Sequence, residues 1–389
     1  MYKKIWLEDF PKVSEQEIKQ KINFLLDGQP YNTQAKQALI EEIFVQQWYG
    51  NPLDTIAFYP CEQQTKEMIF LENDFLNKVE QFSEKEYFTI KISNEEEVKV
   101  LEKLPKGKTY YIWLDFFVSE VQLLDFERFI FFFDPIGKLT KTGNFYRNKQ
   151  EDFYLWKIIF EQSKTLLING KPFTDAGAIN IQQIAYIFSI LNDYLSEIEE
   201  IISYPVQIFF WIGQNPNFSF DLAKLVAIRW LFSSIFKDYN NINLQLITQP
   251  SEYYFSNKIK NEEKFHWILQ SAILGGSNFV INSSENINIE SEIIKFSNKN
   301  IANSWFLKHI TKQMVQKSLS LCKDIQKGGG YLLLLKEHNI QKKIKEKHLK
   351  QQELFPIKEE RKQKQNKIKT LIEPILPRTS DLLGYEIKL

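Results

Sequence analysis

Side chains suited to acid–base, nucleophilic or metal chemistry are scarce in this 389-residue chain, which holds four histidines and two cysteines. Zinc and related sites draw their ligands from short, recurring spacings of these residues. Cys61 and Cys322 stand far apart, with no Cys or His neighbour at such a spacing. His266 has none either, and reads as a histidine on a helix face. His309 lies between Lys308 and Lys312 and reads as solvated. His338 and His348 fall in a lysine-rich stretch at a separation that fits no common site. Asp115 and Asp134 stand near predicted strand ends, the position at which α/β barrels keep catalytic groups. Asp134 precedes Pro135, a turn signal, and both aspartates read as structural. The residues alone assign no catalytic, cofactor-binding or metal-binding position.

The elements that would have to position any site come from hydrophobic periodicity. Residues 1–85 carry Pro11, Pro30, Pro52 and Pro60 and read as an irregular arm, with one helix from Ser14 to Leu26 whose Ser14 and Glu17 form a capping signal. From residue 86 strands and helices alternate. Strands are predicted at 87–92, 110–118, 129–133, 164–168, 205–212, 243–248 and 278–281. Helices are predicted at 94–104, 153–162, 220–236, 265–274 and 301–327. The strongest helix has Asp175 as its expected N-cap, then Ile181, Ile184, Phe188, Leu191, Leu195 and Ile198 on one face. Near-continuous apolar strands alternating with helices predict a parallel sheet covered on both faces. The number of repeats favours a (β/α)8 TIM barrel over a doubly wound sheet. The expected organisation is an N-terminal arm (1–85) that wraps a partner, a barrel domain (86–330) and a helical to extended tail (331–389).

Lys+Arg and Asp+Glu number 49 each, a balance that argues against general nucleic-acid or membrane-surface binding. The two distant cysteines exclude a disulfide framework and fit a reducing compartment. Early charges exclude a signal peptide, no apolar run reaches the ~18 residues of a membrane span, and the expected location is the cytoplasm. Residues 336–370 hold 12 Lys/Arg against 5 Asp/Glu, a net of +7. This stretch reads first as a solvated helix and tail, and second as a basic edge facing an acidic partner or coenzyme phosphates.

Three stretches resemble the methylmalonyl-CoA mutase family. KPFTDAGAINIQQIAYIFSILNDYL (171–195) is similar to the family's Ala-Gly-Ala turn entering a Gln-rich helix, with Gly177 allowing close backbone approach. In FFWIGQNPNFSFDLAKLVAIRWLF (209–232), Asp221, Ala223, Lys224, Leu225, Ala227 and Arg229 match the family's helix, while Val226 replaces a usual Arg. SAILGGSN (271–278) resembles an Ala-rich helix ending in Gly-Gly, and HNIQKKIKEKHLKQQELF resembles the family's later helix. The resemblance covers residues 165–355 best. It implies a TIM barrel, a heterodimer with a large catalytic subunit, adenosylcobalamin in the complex, and interconversion of methylmalonyl-CoA and succinyl-CoA. On it, Lys224 and Arg229 could meet a coenzyme phosphate, although ion pairs that fix the barrel are the expected role.

The departures point to a non-catalytic, small subunit. The family's cobalamin module carries D-x-H-x-x-G, whose His ligates cobalt, and this chain contains no D-x-H. No cobalamin-binding Rossmann-like module is expected in this chain, so adenosylcobalamin would sit on the large subunit, as would the acyl-CoA substrate. Counting back from Gly275-Gly276 places Gln245 at the family's substrate-facing His; Ile281 replaces a second His and Lys264 an Arg. The resemblance also implies a barrel axis lined by small polar side chains for the pantetheine arm. Here YYIWLDFF, RFIFFFD and QIFFWI supply bulky residues, which predicts a packed interior. The alternatives are an active acyl-CoA mutase barrel served by a separate cobalamin-binding polypeptide, or a binding protein with no mutase partner.

Overall fold

The computed structural model describes residues 14–25, 37–38, 41–45, 65–198, 204–252, 261–281 and 304–354. Eight strands form one parallel sheet: β1 (Lys66–Leu71), β2 (Tyr87–Ile92), β3 (Thr109–Leu114), β4 (Ile130–Phe132), β5 (Thr165–Asn169), β6 (Val206–Gln214), β7 (Ile242–Pro250) and β8 (Phe279–Ile281). Their spatial order is β4-β3-β2-β1-β8-β7-β6-β5. The last strand therefore returns to the first, with Phe279 opposite Lys66 and Val280 opposite Glu67. The remaining seam, between β4 and β5, is bridged by side chains. Thr165 Oγ1 donates to the Phe131 carbonyl at 3.3 Å, and Asn169 N–H donates to Asp134 Oδ2 at 3.4 Å. The result is a nearly closed (β/α)8 TIM barrel.

The barrel begins earlier than the sequence pattern suggests. β1 and the helix behind it, α1 (Phe75–Gln81), lie inside the stretch read as an irregular arm, and β1 pairs with both β2 and β8. Its apolar run, Met68 to Leu71, is too short to declare a period by itself. The helices that follow are α2 (Glu95–Val100), α3 (Pro135–Thr142), α4 (Lys149–Ser163), α5 (Lys171–Asp175), α6 (Asn180–Ser196), α7 (Phe218–Ile235), α8 (Asn261–Leu274), α9 (Trp305–Lys327), α10 (Tyr331–Lys336) and α11 (Asn339–Leu354). The capping pair near the N-terminus forms as expected: Ser14 N–H donates to Glu17 Oε2 at 2.7 Å, and Glu17 N–H to Ser14 Oγ at 3.3 Å.

Alternation along each strand sorts its side chains into two cores. Tyr110, Ile112 and Leu114 of β3 face the helices, while Tyr111 and Trp113 face the axis. The axis core consists entirely of strand residues, with Tyr111, Phe132, Phe209 and Phe279 at its centre. Tyr111 stacks on Phe132 at 5.7 Å and meets Phe209 and Phe279 edge-on at 5.4 and 5.7 Å. Phe132 meets Phe209 at 5.0 Å. Such aromatic pairs add about 0.5–1.5 kcal/mol each beyond the area they bury. The axis is filled by side chains, as the strand sequences predict.

Two expectations, one about a helix cap and one about the lysine-rich segment, are corrected. Asp175 does not cap the long helix. It closes α5, and α6 starts five residues later, at Asn180. The first-turn N–H groups of Asn180 and Ile181, which have no partner within the helix, are taken instead by the Glu41 carboxylate at 3.1 and 3.4 Å, so the N-terminal segment supplies the cap. The lysine-rich segment is also not simply solvated in its described part. In α11, Ile340, Ile344 and His348 are buried, and Gln182 Nε2 donates to the Lys343 carbonyl at 3.0 Å. Gly177, at φ +87°, makes room for this helix, because a Cβ there would lie 2.3 Å from His348 Nδ1. Residues 355–389 lie outside the described residues.

Candidate functional site

In a TIM barrel the C-terminal ends of the strands and the loops after them form the site-bearing face. The residues on that face here are lysines, carboxylates and aromatics. Inward-facing Phe70, Trp113 and Trp211 close the top of the axis core, with ring centroids 5.4 Å apart for Phe70 and Trp211, and 5.6 Å for the two tryptophans. Trp211 Nε1 donates to Gln249 Oε1 at 3.0 Å. The Trp113 indole N–H is buried and has no hydrogen-bond partner among the described residues. An unmet buried donor costs about 1–3 kcal/mol relative to a met one.

Above these rings lie two salt-bridge clusters. Asp115, just past β3, is held by Lys91 of β2 at 3.2 Å and by Lys138 of α3 at 3.0 Å. Lys91 also reaches Glu72, past β1, at 3.2 Å, and its ammonium lies 5.7 Å from the Trp113 ring. The Tyr146 hydroxyl donates to Asp115 Oδ1 at 3.4 Å. In the second cluster Lys171 of α5 contacts Asp175 and Glu252 at 2.6 Å each. Asp175 Oδ1 in turn accepts from Ser251 Oγ at 2.8 Å and Glu252 N–H at 2.9 Å, joining the loop after β5 to the one after β7.

The electrostatics follow from this pairing. Burial opposes the Lys91 ammonium, but Asp115 and Glu72 outweigh it and hold its pKa above the ordinary lysine value. Burial likewise opposes the Lys171 ammonium, and Asp175 and Glu252 again win. Lys141, one turn beyond Lys138 on α3, differs. Its side chain is exposed and forms no salt bridge among the described residues. Its ammonium is pushed below the ordinary lysine value by the surrounding wall and by Lys91 and Lys171, against the opposing pull of Asp115 and Glu72. Among the described residues three of these lysines hold four carboxylates at the mouth. No histidine of the described chain joins them, so imidazole acid–base chemistry has no place here among the described residues.

The other sequence-singled residues fall elsewhere. Asp134 is buried and structural: it accepts from Gly137 N–H at 2.8 Å and the Tyr194 hydroxyl at 2.6 Å, and burial raises its pKa to about 6. Asp115, read as structural, does pair ions, but at the mouth. Lys224 is fully buried behind the barrel, 3.2 Å from Asp221 and donating to the Gly213 carbonyl at 2.7 Å. Arg229 Nε donates to the Gly276 carbonyl at 2.8 Å, and its Nη2 to Asn278 Oδ1 at 2.7 Å. Both fix α7 to the strand ends and neither faces the mouth. His266 and His309 are half-buried on α8 and α9, and His338 is exposed in the turn before α11. Cys322 is a half-buried free thiol, and Cys61 lies outside the described residues.

Gln245, which the gap-free count set at the family's substrate-facing position, lies on the same side of β7 as the axis residue Ile247. Gln245 lies opposite Phe209, near the entry end of β7, and the inward residue near the mouth is Gln249. Ile281 packs into the axis core. Lys264 lies on α8, with its side chain outside the described residues. Sequence reasoning missed Lys91, Lys141 and Lys171. A lysine near the end of a strand or in a short helix has no local signature, and only the closing of the barrel brings the three together.

Among the described residues no group of three or more His, Cys, Asp or Glu could hold a metal ion. None of their helices is long and apolar enough to cross a membrane. At the opposite end of the barrel, a shallow depression of about 290 Å³ is lined by Lys106, Lys108 and Arg128 among others. Lys108 already donates to the Ser83 and Lys85 carbonyls at 2.6 and 2.5 Å, and Arg128 to the Glu102 carbonyl at 2.9 Å. No protein-family profile matches the chain, and no curated protein matches it.

Proposed function

We propose that this barrel is the non-catalytic small subunit of a heterodimeric adenosylcobalamin-dependent methylmalonyl-CoA mutase, stabilising the large subunit that interconverts methylmalonyl-CoA and succinyl-CoA. The observation that carries the reading is the aromatic plug of Tyr111, Phe132, Phe209 and Phe279 on the barrel axis. A pantetheine arm needs that axis open. Dense packing of this kind does not yield without several side chains leaving their rotamers. The same plug counts against the alternative of an active acyl-CoA mutase barrel served by a separate cobalamin-binding polypeptide.

The stretches that resemble the mutases support the fold rather than chemistry. Lys224 and Arg229 donate to the Gly213 and Gly276 carbonyls, and Lys224 pairs with Asp221. The residues present do not fit cobalamin. The buried His348 packs against the Gly177 turn, and no described histidine stands at the mouth with an aspartate behind it. The cofactor and the acyl-CoA belong, on this reading, to the partner.

Co-expression with a candidate large subunit, followed by size-exclusion chromatography and a mutase assay, tests the proposal. A one-to-one complex is expected, active only when the large chain is present. A chain that stays alone in the mixture, or turns over acyl-CoA with only a cobalamin-binding protein added, overturns it.

A further inference from the structure

A hairpin tip that precedes β1 docks on the helix layer of the barrel. Gln37–Ala38 pairs antiparallel with Ile43–Phe44, and Glu41 and Glu42 lie in the turn. Glu42 takes the left-handed conformation at φ +54°, unfavourable for most side chains, so the turn relies on what it touches. Ile43 is fully buried in the helix-layer core. The buried Glu41 carboxylate accepts the Asn180 and Ile181 N–H groups at the start of α6. At the rim the Glu42 carbonyl accepts from Lys317 of α9, and the Glu42 carboxylate pairs with Lys347 of α11 and feels Lys350.

The charges beneath the tip do not balance. Asp221 and Lys224 of α7 lie within electrostatic reach of Glu41, both fully buried and 3.2 Å apart. Lys224 also donates to the Gly213 carbonyl at 2.7 Å, so its ammonium is committed. With both carboxylates ionised, two anions and one cation of the described residues share a dry interior. The N-terminus of α6 offsets only about half a charge. His348 of α11 lies against Gly177 in the turn before α6, and burial lowers its pKa from 6.5, so above that pH it brings no charge. A proton on Glu41 restores the balance, and the protonated group still accepts through its carbonyl oxygen.

We propose that this tip is a pH-sensitive latch, seated on α6 while Glu41 is protonated and released when Glu41 ionises. The proposal goes beyond the subunit reading and does not depend on it. Opening so small a contact needs less free energy than unfolding the barrel, so the tip lets go first. Burial raises the Glu41 pKa from 4.5 to about 7, against the two N–H groups and Lys224. A pKa raised by seating means that the proton favours the seated tip. That preference is complete below about pH 4.5 and is lost as pH rises through 7. Release uncovers the first turn of α6 and the slot of Ile43. It also breaks the Lys317 and Lys347 contacts that tie α9 and α11 to the segment before the barrel.

Amide hydrogen exchange of the full chain at pH 6 and pH 8.5 tests the latch, read as protection factors so that the intrinsic pH dependence of exchange cancels. Protection of Asn180 and Ile181 should fall about tenfold between these values, while that of β5 and β6 stays constant. Glu41→Gln keeps an acceptor without a charge and should hold its protection across the range. Glu41→Ala should lack that protection at both values. Glu42→Gln, which weakens the Lys347 pair alone, should keep the tenfold fall. Protection of Asn180 and Ile181 that does not change with pH in the parent overturns the latch. So does a fall that persists in Glu41→Gln, because Asp221 or Lys224 would then be the titrating group. A parallel loss in β5 and β6 would mean unfolding of the whole barrel, and overturns it as well.

Discussion

The two halves of the barrel solve the same problem differently. Behind β1, β2 and β3 the connections are short: α1 has 7 residues, α2 has 6, and the turn Val121–Leu123 has 3. Behind β5 to β8 stand α6, α7, α8 and α9, with 17, 18, 14 and 23 residues. The long helices bury polar groups along with apolar ones: Gln182, Gln183 and Ser189 on α6, Asp221 and Lys224 on α7. The short half instead keeps its charges at the mouth, half-exposed, on Lys91, Asp115 and Lys138. Buried polar groups specify one arrangement but penalise any break. Half-exposed ones leave room for a ligand. The first half therefore bears the Lys91–Asp115–Lys138 cluster of the candidate site, while the second half adds the Lys171–Asp175–Glu252 cluster and fixes the frame.

The sharpest way to break the second half is Lys224→Met. It leaves the Asp221 carboxylate buried without its cation, which costs roughly 3–5 kcal/mol. Replacing both, Asp221→Leu with Lys224→Met, should restore much of that loss, because the pair also carries a desolvation penalty. Urea denaturation of the two variants measures the difference. Equal stability of the single variant and the parent would mean that the pair does not hold α7.

Glu41 probes the same frame through pH. Burial raises its pKa from 4.5 to about 7, against the pull of the Asn180 and Ile181 N–H groups and of Lys224, with Asp221 adding to the rise. A raised pKa in the folded state means that the proton stabilises it. That stability is complete below about pH 4.5 and is lost as pH rises through 7. The loss amounts to as much as about 3 kcal/mol. Glu41→Gln should therefore show a flatter stability profile between pH 5 and pH 8 than the parent, measured by thermal unfolding in buffers of matched ionic strength. Parallel profiles would remove Glu41 as the source.

What the sequence disclosed divides along the same line. The second half announced itself because long apolar faces such as Ile181, Ile184, Phe188 and Leu191 repeat over many turns. In the first half β2 was legible end to end, but β1 rests on four apolar residues and was absorbed into the arm. The cap of α6 was not legible at all, since Glu41 lies well over a hundred residues before the groups it satisfies. The candidate site was least legible. Asp115 could be singled out at a strand end, yet Lys91, Lys141 and Lys171 become neighbours only through barrel closure. Composition did give the plugged axis, because inward positions follow directly from strand alternation.

Gly177→Ala tests how firmly the C-terminal helix belongs to the frame. The φ of +87° is strained for any L side chain, and the new Cβ would meet His348. A cost of about 1–3 kcal/mol is expected from the backbone alone. Hydrogen exchange should rise in residues 339–354 more than in β5 or α6. Uniform exchange would mean that α11 is held elsewhere, by Ile340 and Ile344.

The smallest expected effect belongs to the mouth, and it is the one that separates the halves most cleanly. Lys91 and Asp115 are 3.2 Å apart with 17% and 22% of their side chains exposed. Water still screens a pair so placed, and exposed pairs couple by roughly 0.2–1 kcal/mol. A double-mutant cycle with Lys91→Gln and Asp115→Asn should return a coupling in that range, and raising the salt concentration should shrink it. The Lys224–Asp221 pair, cycled in the same way, should couple more strongly and respond little to salt, because ions cannot approach it. Two pairs with the same charges and the same 3.2 Å separation would then be seen to differ with burial. Equal salt dependence would mean that the mouth is as closed as the helix layer, and that the first half is no more available to a ligand than the second.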